Sequence, residues 1–440
     1  MKIAVVGLGH IGAVTAACLA RDGHDVVGID SDPEKIQRLR DGAPVTSEEN
    51  VNVLLRAAFS SGKLSPSKNL AQGVARSDLT MVCVGAPGRG DGSIDASPVV
   101  RACEDVGGAL RGGDDPHTVG VRSALPPGAF AAQIAPTLEH WSDRSLGDRF
   151  AAVYNPAFFN ECAGIADYDA PPRILIGAEN AAAGETVAAL YGAIDAPLIL
   201  TEINAAETIK YADNAWRSVK IAFANELGAL TAAIGVDTGV FYDAVEKDCP
   251  KQGRGLSAAF SEAGIHAGVS NAAKELRALV HRAGGLEIET PLLSAALLSA
   301  DHQIDRTLAL VRAARAKTVA ILGIGLQADA EDVRENPQIR LLEHLIGQGY
   351  GVCVHDMQSR LARLTGANRR YIDKSIPHLL QLVSDDLSES LEDADTIILG
   401  DADPYYYDAV TRLSDEKTVI DLVGAVRATT TPAKYHGVSW

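Results

Sequence analysis

Hydrophobic and polar positions follow two rhythms along this chain. Residues 2–30 begin with the unbroken apolar run KIAVVGLG, pass into helical spacing over HIGAVTAACLARDG and return to β-branched residues in DVVGIDSD. That order predicts strand, helix and strand, a βαβ unit. Strand-like runs at 79–84, 118–122, 150–154 and 173–176 alternate with helical segments and predict a parallel sheet covered on both faces. A first domain is expected over residues 1–200.

The stretch 202–233 keeps helical periodicity beyond the usual length of a globular helix and stops at Gly235. A helix that long must lean on something large, so residues 201–310 are read as an all-helical segment carrying a homodimer interface. Beyond it, KTVAILGIG (317–325), YGVCVHD (350–356), TIILGDAD (396–403) and KTVIDLVG (417–424) again read as strands spaced by helices. The fold class expected is α/β: two doubly wound Rossmann-like domains, the second over 311–440, joined by a long central helix and the helical dimerisation segment.

Composition narrows the class. The 440 residues suffice for about three domains of ~150 residues, which excludes a peptide-sized binding module. A formal charge of -17 repels polyphosphates at long range, so no nucleic-acid partner is expected and any phosphate site must be built from backbone amides and a few cations. Cys18, Cys83, Cys103, Cys162, Cys249 and Cys353 form no CxxC pair, which points to no metal site and no disulfide framework. The start MKIAVVGLGHIG has neither a basic leader nor an apolar run of membrane-spanning length. A cytoplasmic protein without membrane contact is expected.

Gly7-Leu8-Gly9-His10-Ile11-Gly12 closes the first strand and opens the helix, and Asp30 ends the next strand. The first glycine permits the tight turn, the second lets a pyrophosphate approach the backbone and the third lets the helix pack on the sheet. A carboxylate at residue 30 accepts from a ribose 2′-hydroxyl and repels a 2′-phosphate, so NAD is the cofactor expected. Gly7, Gly9, His10, Ile11, Gly12 and Asp30 are its candidate ligands, with Val84, Gly85 and Pro87 passing close by after the strand at 79–84. A second pair, Gly323 and Gly325, lacks the third glycine because Ala328 stands there. It serves either the nucleoside end of a substrate or only a βα turn.

These residues resemble the UDP-glucose/GDP-mannose dehydrogenase family, and within it the GDP-mannose branch. The likeness runs from GLGHIG (7–12) through VGAP (84–87), RSALPPG (122–128), NPAFFNE (155–161), IKYADNAW (209–216), KELRAL (274–279), EDVRENP (331–337) and IPHLLQLVSDDL (376–387) to DLVG (421–424). The resemblance implies an NAD-binding domain, a central helical dimerisation segment and a C-terminal domain holding a sugar nucleotide. It adds Ser123 to the cofactor site, and Phe158, Phe159, Asn160, Glu262, Gly264 and Arg334 to the substrate site. Family members oxidise a primary alcohol twice, trapping the intermediate aldehyde on a cysteine and hydrolysing the thioester with help from a glutamate.

Several positions depart from that pattern. Asn271 stands where the cysteine is expected, and an amide cannot form a thioester. Ala157 stands where the hydrolytic glutamate is expected, Ala124 replaces a threonine, Glu262 replaces an arginine and Gln327 a lysine. Exchanging a cation for an anion at a phosphate contact removes attraction and adds repulsion, which implies a substrate lacking the diphosphate. The resemblance also implies that Lys210 and Asn214, one helical turn apart, polarise the reacting oxygen and position water. Glu161, Lys274 and Glu275 match in form.

His266, Ser270 and Cys162 have sharper and blander readings. His266 is a residue type whose unperturbed pKa lies near neutrality, which suits proton transfer, although a lone histidine is more often structural. Ser270 lacks an evident base, and Cys162 is ordinarily a small buried side chain. Three functions are therefore expected to compete. The first is redox-neutral dehydration or epimerisation of a nucleoside or nucleotide-sugar, as in nucleoside antibiotic assembly, with Lys210 and Asn214 at the oxygen and Glu161, Lys274 or His266 moving the proton. The second is a two-electron dehydrogenase that stops at aldehyde or ketone. The third is a silent nucleotide-binding homologue.

Overall fold

The computed structural model describes residues 1–439 apart from 114–115, 148–149, 161–162, 237–240, 242–263, 266–269, 325–335, 357–365, 378 and 425–430. Two compact units emerge, the first holding Met1–Asp213 and the second the described residues of Asn214–Ala328 and Asp332–Trp440.

The first unit is an eight-stranded sheet built from β1 (Lys2–Val6), β2 (Asp25–Ile29), β3 (Leu64–Ser67), β4 (Leu79–Val82), β5 (His117–Val121), β6 (Phe150–Tyr154), β7 (Ile174–Ala178) and β8 (Leu198–Thr201). Their order is β3-β2-β1-β4-β5-β6-β7-β8, so the winding reverses between β1 and β4. Sheets wound this way bind their ligands at such a reversal, at the carboxyl ends of the strands. Helix His10–Arg21 buries every residue from Gly12 to Ala20. Small side chains on that helix let it lie close to the sheet over a core that includes Ile3, Val5, Val14, Leu19, Met81 and Tyr168.

The expectation of an all-parallel sheet is corrected at one pair. β6 and β7 run antiparallel, with Val153 opposite Ala178 and Tyr154 opposite Gly177. Among its described residues the connection between them carries the six-residue helix Gly164–Asp169, about 9 Å long. With this pairing β7 enters from the end at which β6 leaves. β3 and β8 also lay outside the expected strands. LSPS has a proline and two serines where an apolar run would stand, and β8 exposes Leu198, Ile199 and Leu200. Pairing with β2 and β7 makes them strands.

The second unit takes the long helix Ile203–Ala233 from Asn214 onward, followed by helices Ser270–Gly284 and Pro291–Ala313. Ala215, Leu276 and Ala296 form a small apolar cluster between them. A six-stranded sheet follows: β9 (Thr318–Leu322), β10 (Gly351–His355), β11 (Val383–Ser384), β12 (Thr396–Leu399), β13 (Thr418–Asp421) and β14 (Lys434–Gly437). All its pairs are parallel, in the order β11-β10-β9-β12-β13-β14. The four apolar strands match expectation, whereas the two-residue β11 and the polar β14, KYHG, are edges visible only through their pairing. Among the described residues no helix is long and apolar enough to cross a membrane.

Candidate active site

The glycine turn of the first unit is built as its spacing implies. Gly7 adopts φ +89°, and its N–H donates to the carbonyl of Ile29 at 2.8 Å. A Cβ on Gly12 would sit 1.8 Å from the Gly7 carbonyl oxygen, so only glycine lets the helix start so near the strand. A Cβ on Gly9 would meet nothing within 4 Å. Open space therefore faces the start of His10–Arg21, whose N-cap residue, Gly9, brings no side chain. Such a cradle suits a pyrophosphate.

Asp30 accepts from Leu8 N–H at 2.8 Å and Asp32 N–H at 2.9 Å, and its Oδ2 lies 3.1 Å from Lys35 Nζ. The amides fix the carboxylate beside the turn, and Lys35 partly offsets its charge. Val84 packs against the Gly7 turn, with Cγ2 3.1 Å from the position a Cβ would take there, and Gly85 leaves open space. The Pro87 carbonyl accepts from Asp95 N–H at 2.8 Å. Ser123 is buried, with its hydroxyl 3.5 Å from the Val82 carbonyl. His10 Nδ1 lies 3.5 Å from Glu48 Oε1, and Glu48 also accepts from Gly164 N–H at 3.1 Å. Ile11 packs partly into the core.

After β6 the chain presents Phe158 and Phe159 to cations. The Phe158 ring has Arg173 Cζ at 4.7 Å and Lys210 Nζ at 5.3 Å from its centroid, and Phe159 has Arg122 Cζ at 5.5 Å. Both distances to Phe158 fall within cation–π range. Asn160 donates from its backbone N–H and its amide to Asp167, at 2.5 and 3.1 Å. Glu161 and Cys162 lie outside the described residues.

In the second unit Asn214 Nδ2 donates to Glu275 Oε2 at 2.6 Å. Lys274 and Glu275 are each 3% exposed, which places two charged groups inside the protein. Asn271 stands on the first turn of the same helix, Ser270–Gly284, with its side chain outside the described residues. Gly264, at φ +109°, donates to Asn225 Oδ1 at 2.6 Å and accepts from its amide at 3.3 Å. Gly323 takes φ +71°, and a Cβ there would stand 2.4 Å from Asp401 Cβ, so packing alone requires this glycine. Glu262, His266, Gly325, Gln327, Ala328 and Arg334 lie outside the described residues.

Residues 1–195 match the NAD binding domain of the UDP-glucose/GDP-mannose dehydrogenase family, and residues 204–301 match its central domain. The chain belongs to this family. It is 36% identical to a GDP-mannose 6-dehydrogenase of Pseudomonas syringae pv. tomato over the full length of both chains. A UDP-glucose 6-dehydrogenase of Haloferax volcanii is 30% identical over 81% of this chain and 83% of its own. Among solved structures, a UDP-glucose dehydrogenase from Pyrobaculum islandicum superposes with a TM-score of 0.87 at 30% identity, covering 100% of this chain and 97% of its own. A GDP-mannose dehydrogenase from Pseudomonas aeruginosa, solved as a ternary complex, gives 0.57 at 35% identity over the whole of both chains.

This family member is thus an enzyme of the NAD-dependent oxidoreductases, with NAD as its cofactor. Sequence reasoning passed over Lys35, Arg122 and Glu48. Lys35 had a local signal, because it lies on the first turn of a helix capped by Asp32, five residues after Asp30. Glu48 had none, and Arg122 opens the RSALPPG run but its contacts were hidden, because the partners of both are distant in the chain.

Proposed function

We propose that this enzyme acts on the sugar of a nucleoside or nucleotide-sugar by transient oxidation, giving redox-neutral dehydration or epimerisation rather than a carboxylic acid. One observation carries the reading: residue 271, on the helix that also presents Lys274 and Glu275, is asparagine. An amide offers no thiolate, so an aldehyde has no covalent path to a thioester.

NAD, when bound, supplies reversible oxidation of a carbon bearing a hydroxyl. The chain's own groups then have separable tasks. Lys210 polarises the reacting oxygen, and Phe158 holds the ammonium by its ring face. Asn214 orients that oxygen, and Glu275 fixes the amide. Glu161, Lys274 or His266 moves the proton from the carbon next to the carbonyl. Replacement of cations at positions 262 and 327 by Glu262 and Gln327 favours a substrate without a diphosphate, consistent with a tailoring step in nucleoside antibiotic assembly. Homodimerisation through the central helices is part of the same proposal. Trp216, Phe223 and Leu230 are 63%, 48% and 55% exposed at seven-residue spacing on the long helix, which aligns them in one stripe.

The test is incubation with NAD and a panel of nucleosides and nucleotide-sugars in deuterated water, following NADH absorbance and product mass. Loss of water or isomerisation with solvent deuterium in the product, and without net NADH, is the expected result. An acid formed with two NADH per turnover overturns it. A second reading is favoured by the dehydrogenase activity in the names of its relatives: a two-electron dehydrogenase, which leaves one NADH per aldehyde or ketone.

A further inference from the structure

Arg122 ends β5 in the first unit and is 4% exposed. Among the described residues both hydrogen bonds of its guanidinium leave from Nη1, one to Asn155 Oδ1 at 2.6 Å and one to the hydroxyl of Tyr191. Tyr191 in turn donates to the same Asn155 oxygen at 2.5 Å, and the Asn155 amide donates to the Leu175 carbonyl at 2.9 Å. All these partners are neutral. Nε is buried without an acceptor, and Nη2 donates to no described residue. A buried guanidinium is costly unless an anion and a full set of acceptors compensate it, and the face of Phe159 at 5.5 Å supplies only part of that compensation.

Arg122 also borders a cavity of about 30 Å3, which it lines together with Asn155, Ala157, Phe159, Arg173 and Tyr191. Ala157, 5% exposed, contributes only a methyl group to that wall. Arg173 adds a second cation whose Nε is likewise buried without an acceptor, while its Nη2 bonds Asp213 at 2.5 Å. The carboxylate of Asp167 also borders the cavity but is engaged by Asn160. The volume is about twice what one water needs, which suits the head of a carboxylate better than a phosphate. The Nε–Nη2 edge is a planar fork that a carboxylate meets with two parallel bonds.

We propose that this edge of Arg122 is a carboxylate-binding site. The carboxylate comes either from a small free acid anion or from a carboxyl group of the substrate. The site does not depend on the reaction proposed above.

The experiment uses the full chain labelled with 15N-arginine and titrated with sodium formate against sodium chloride at equal ionic strength. The Arg122 Nε–H resonance is identified by its loss in Arg122→Lys. Formate is expected to move that resonance saturably and to raise the thermal midpoint by about 3–6 °C at tenfold its dissociation constant, beyond any chloride effect. No formate-dependent shift of any arginine Nε–H resonance and no excess stabilisation in the wild-type chain overturn the proposal, whether or not Arg122→Lys folds. Ala157→Glu, which brings its own carboxylate to the cavity, is expected to abolish the formate response and raise the midpoint. The sources separate by competition: uridine 5′-carboxylic acid displacing formate where uridine does not assigns the site to substrate, and failure of both to displace it assigns the site to a free anion.

Discussion

Asn214 on the long helix and Glu275 on helix Ser270–Gly284 are joined by a 2.6 Å hydrogen bond from the amide to a buried carboxylate. Truncation of the acid leaves the Asn214 amide without this acceptor and opens a void. Glu275→Ala is expected to lower the unfolding free energy by about 2–3 kcal/mol, and Glu275→Gln by about 1 kcal/mol because its oxygen can still accept. Urea denaturation of the two variants against the parent measures both.

Two glycines three positions apart, Gly9 and Gly12, should respond in different ways. Gly12→Ala forces a methyl to within 1.8 Å of the Gly7 carbonyl oxygen, so a loss above about 4 kcal/mol is expected, enough to unfold the first unit. Gly9→Ala meets nothing in the protein and is expected to fold normally while binding NAD at least about tenfold more weakly, a difference of about 1.4 kcal/mol. Thermal unfolding and NAD titration by fluorescence distinguish the two.

His117 begins β5, is 7% exposed and shares a 2.9 Å hydrogen bond with the Thr80 hydroxyl. Burial pushes its imidazole down from 6.5 to about 4. Below pH 6.5 the unfolded chain takes up a proton that the folded chain refuses, so this residue costs stability as pH falls from 6.5 to about 4. The cost levels off below that, where the folded imidazole also protonates, at about 3 kcal/mol. Denaturation midpoints across this window are expected to fall less steeply in His117→Gln than in the parent, and equal slopes refute the assignment.

A thiol at position 271 alone is not expected to restore acid formation, because Ala157 supplies no carboxylate for thioester hydrolysis. Asn271→Cys with GDP-mannose and NAD should yield no mannuronic acid by mass spectrometry. If it does, the substrate has not changed and the redox-neutral reading loses its chief support.

The dinucleotide turn was legible because its chemistry is local. Gly7, Gly9, Gly12 and Asp30 lie on one strand, one helix start and the next strand, and hydrophobic rhythm fixes all three elements. The strands β3, β8, β11 and β14 were not legible, since short edge strands need little apolar character and are defined by a neighbour's backbone. The pairing of Asn214 with Glu275 was also hidden. Each residue was singled out for its motif, but helix packing across 61 positions of sequence creates the bond.

By itself, the amino-acid sequence determined the two doubly wound sheets, the long helix, the cofactor turn and the family, because each rests on periodicity, backbone permissiveness or motif spacing. Tertiary structure alone decided that β7 turns against β6 and that Arg122 ends buried beside Asn155 and Tyr191 with its Nε unpaired. Those outcomes depend on the order in which strands pair and on which charges burial leaves without a counterion, neither of which any local run of residues encodes.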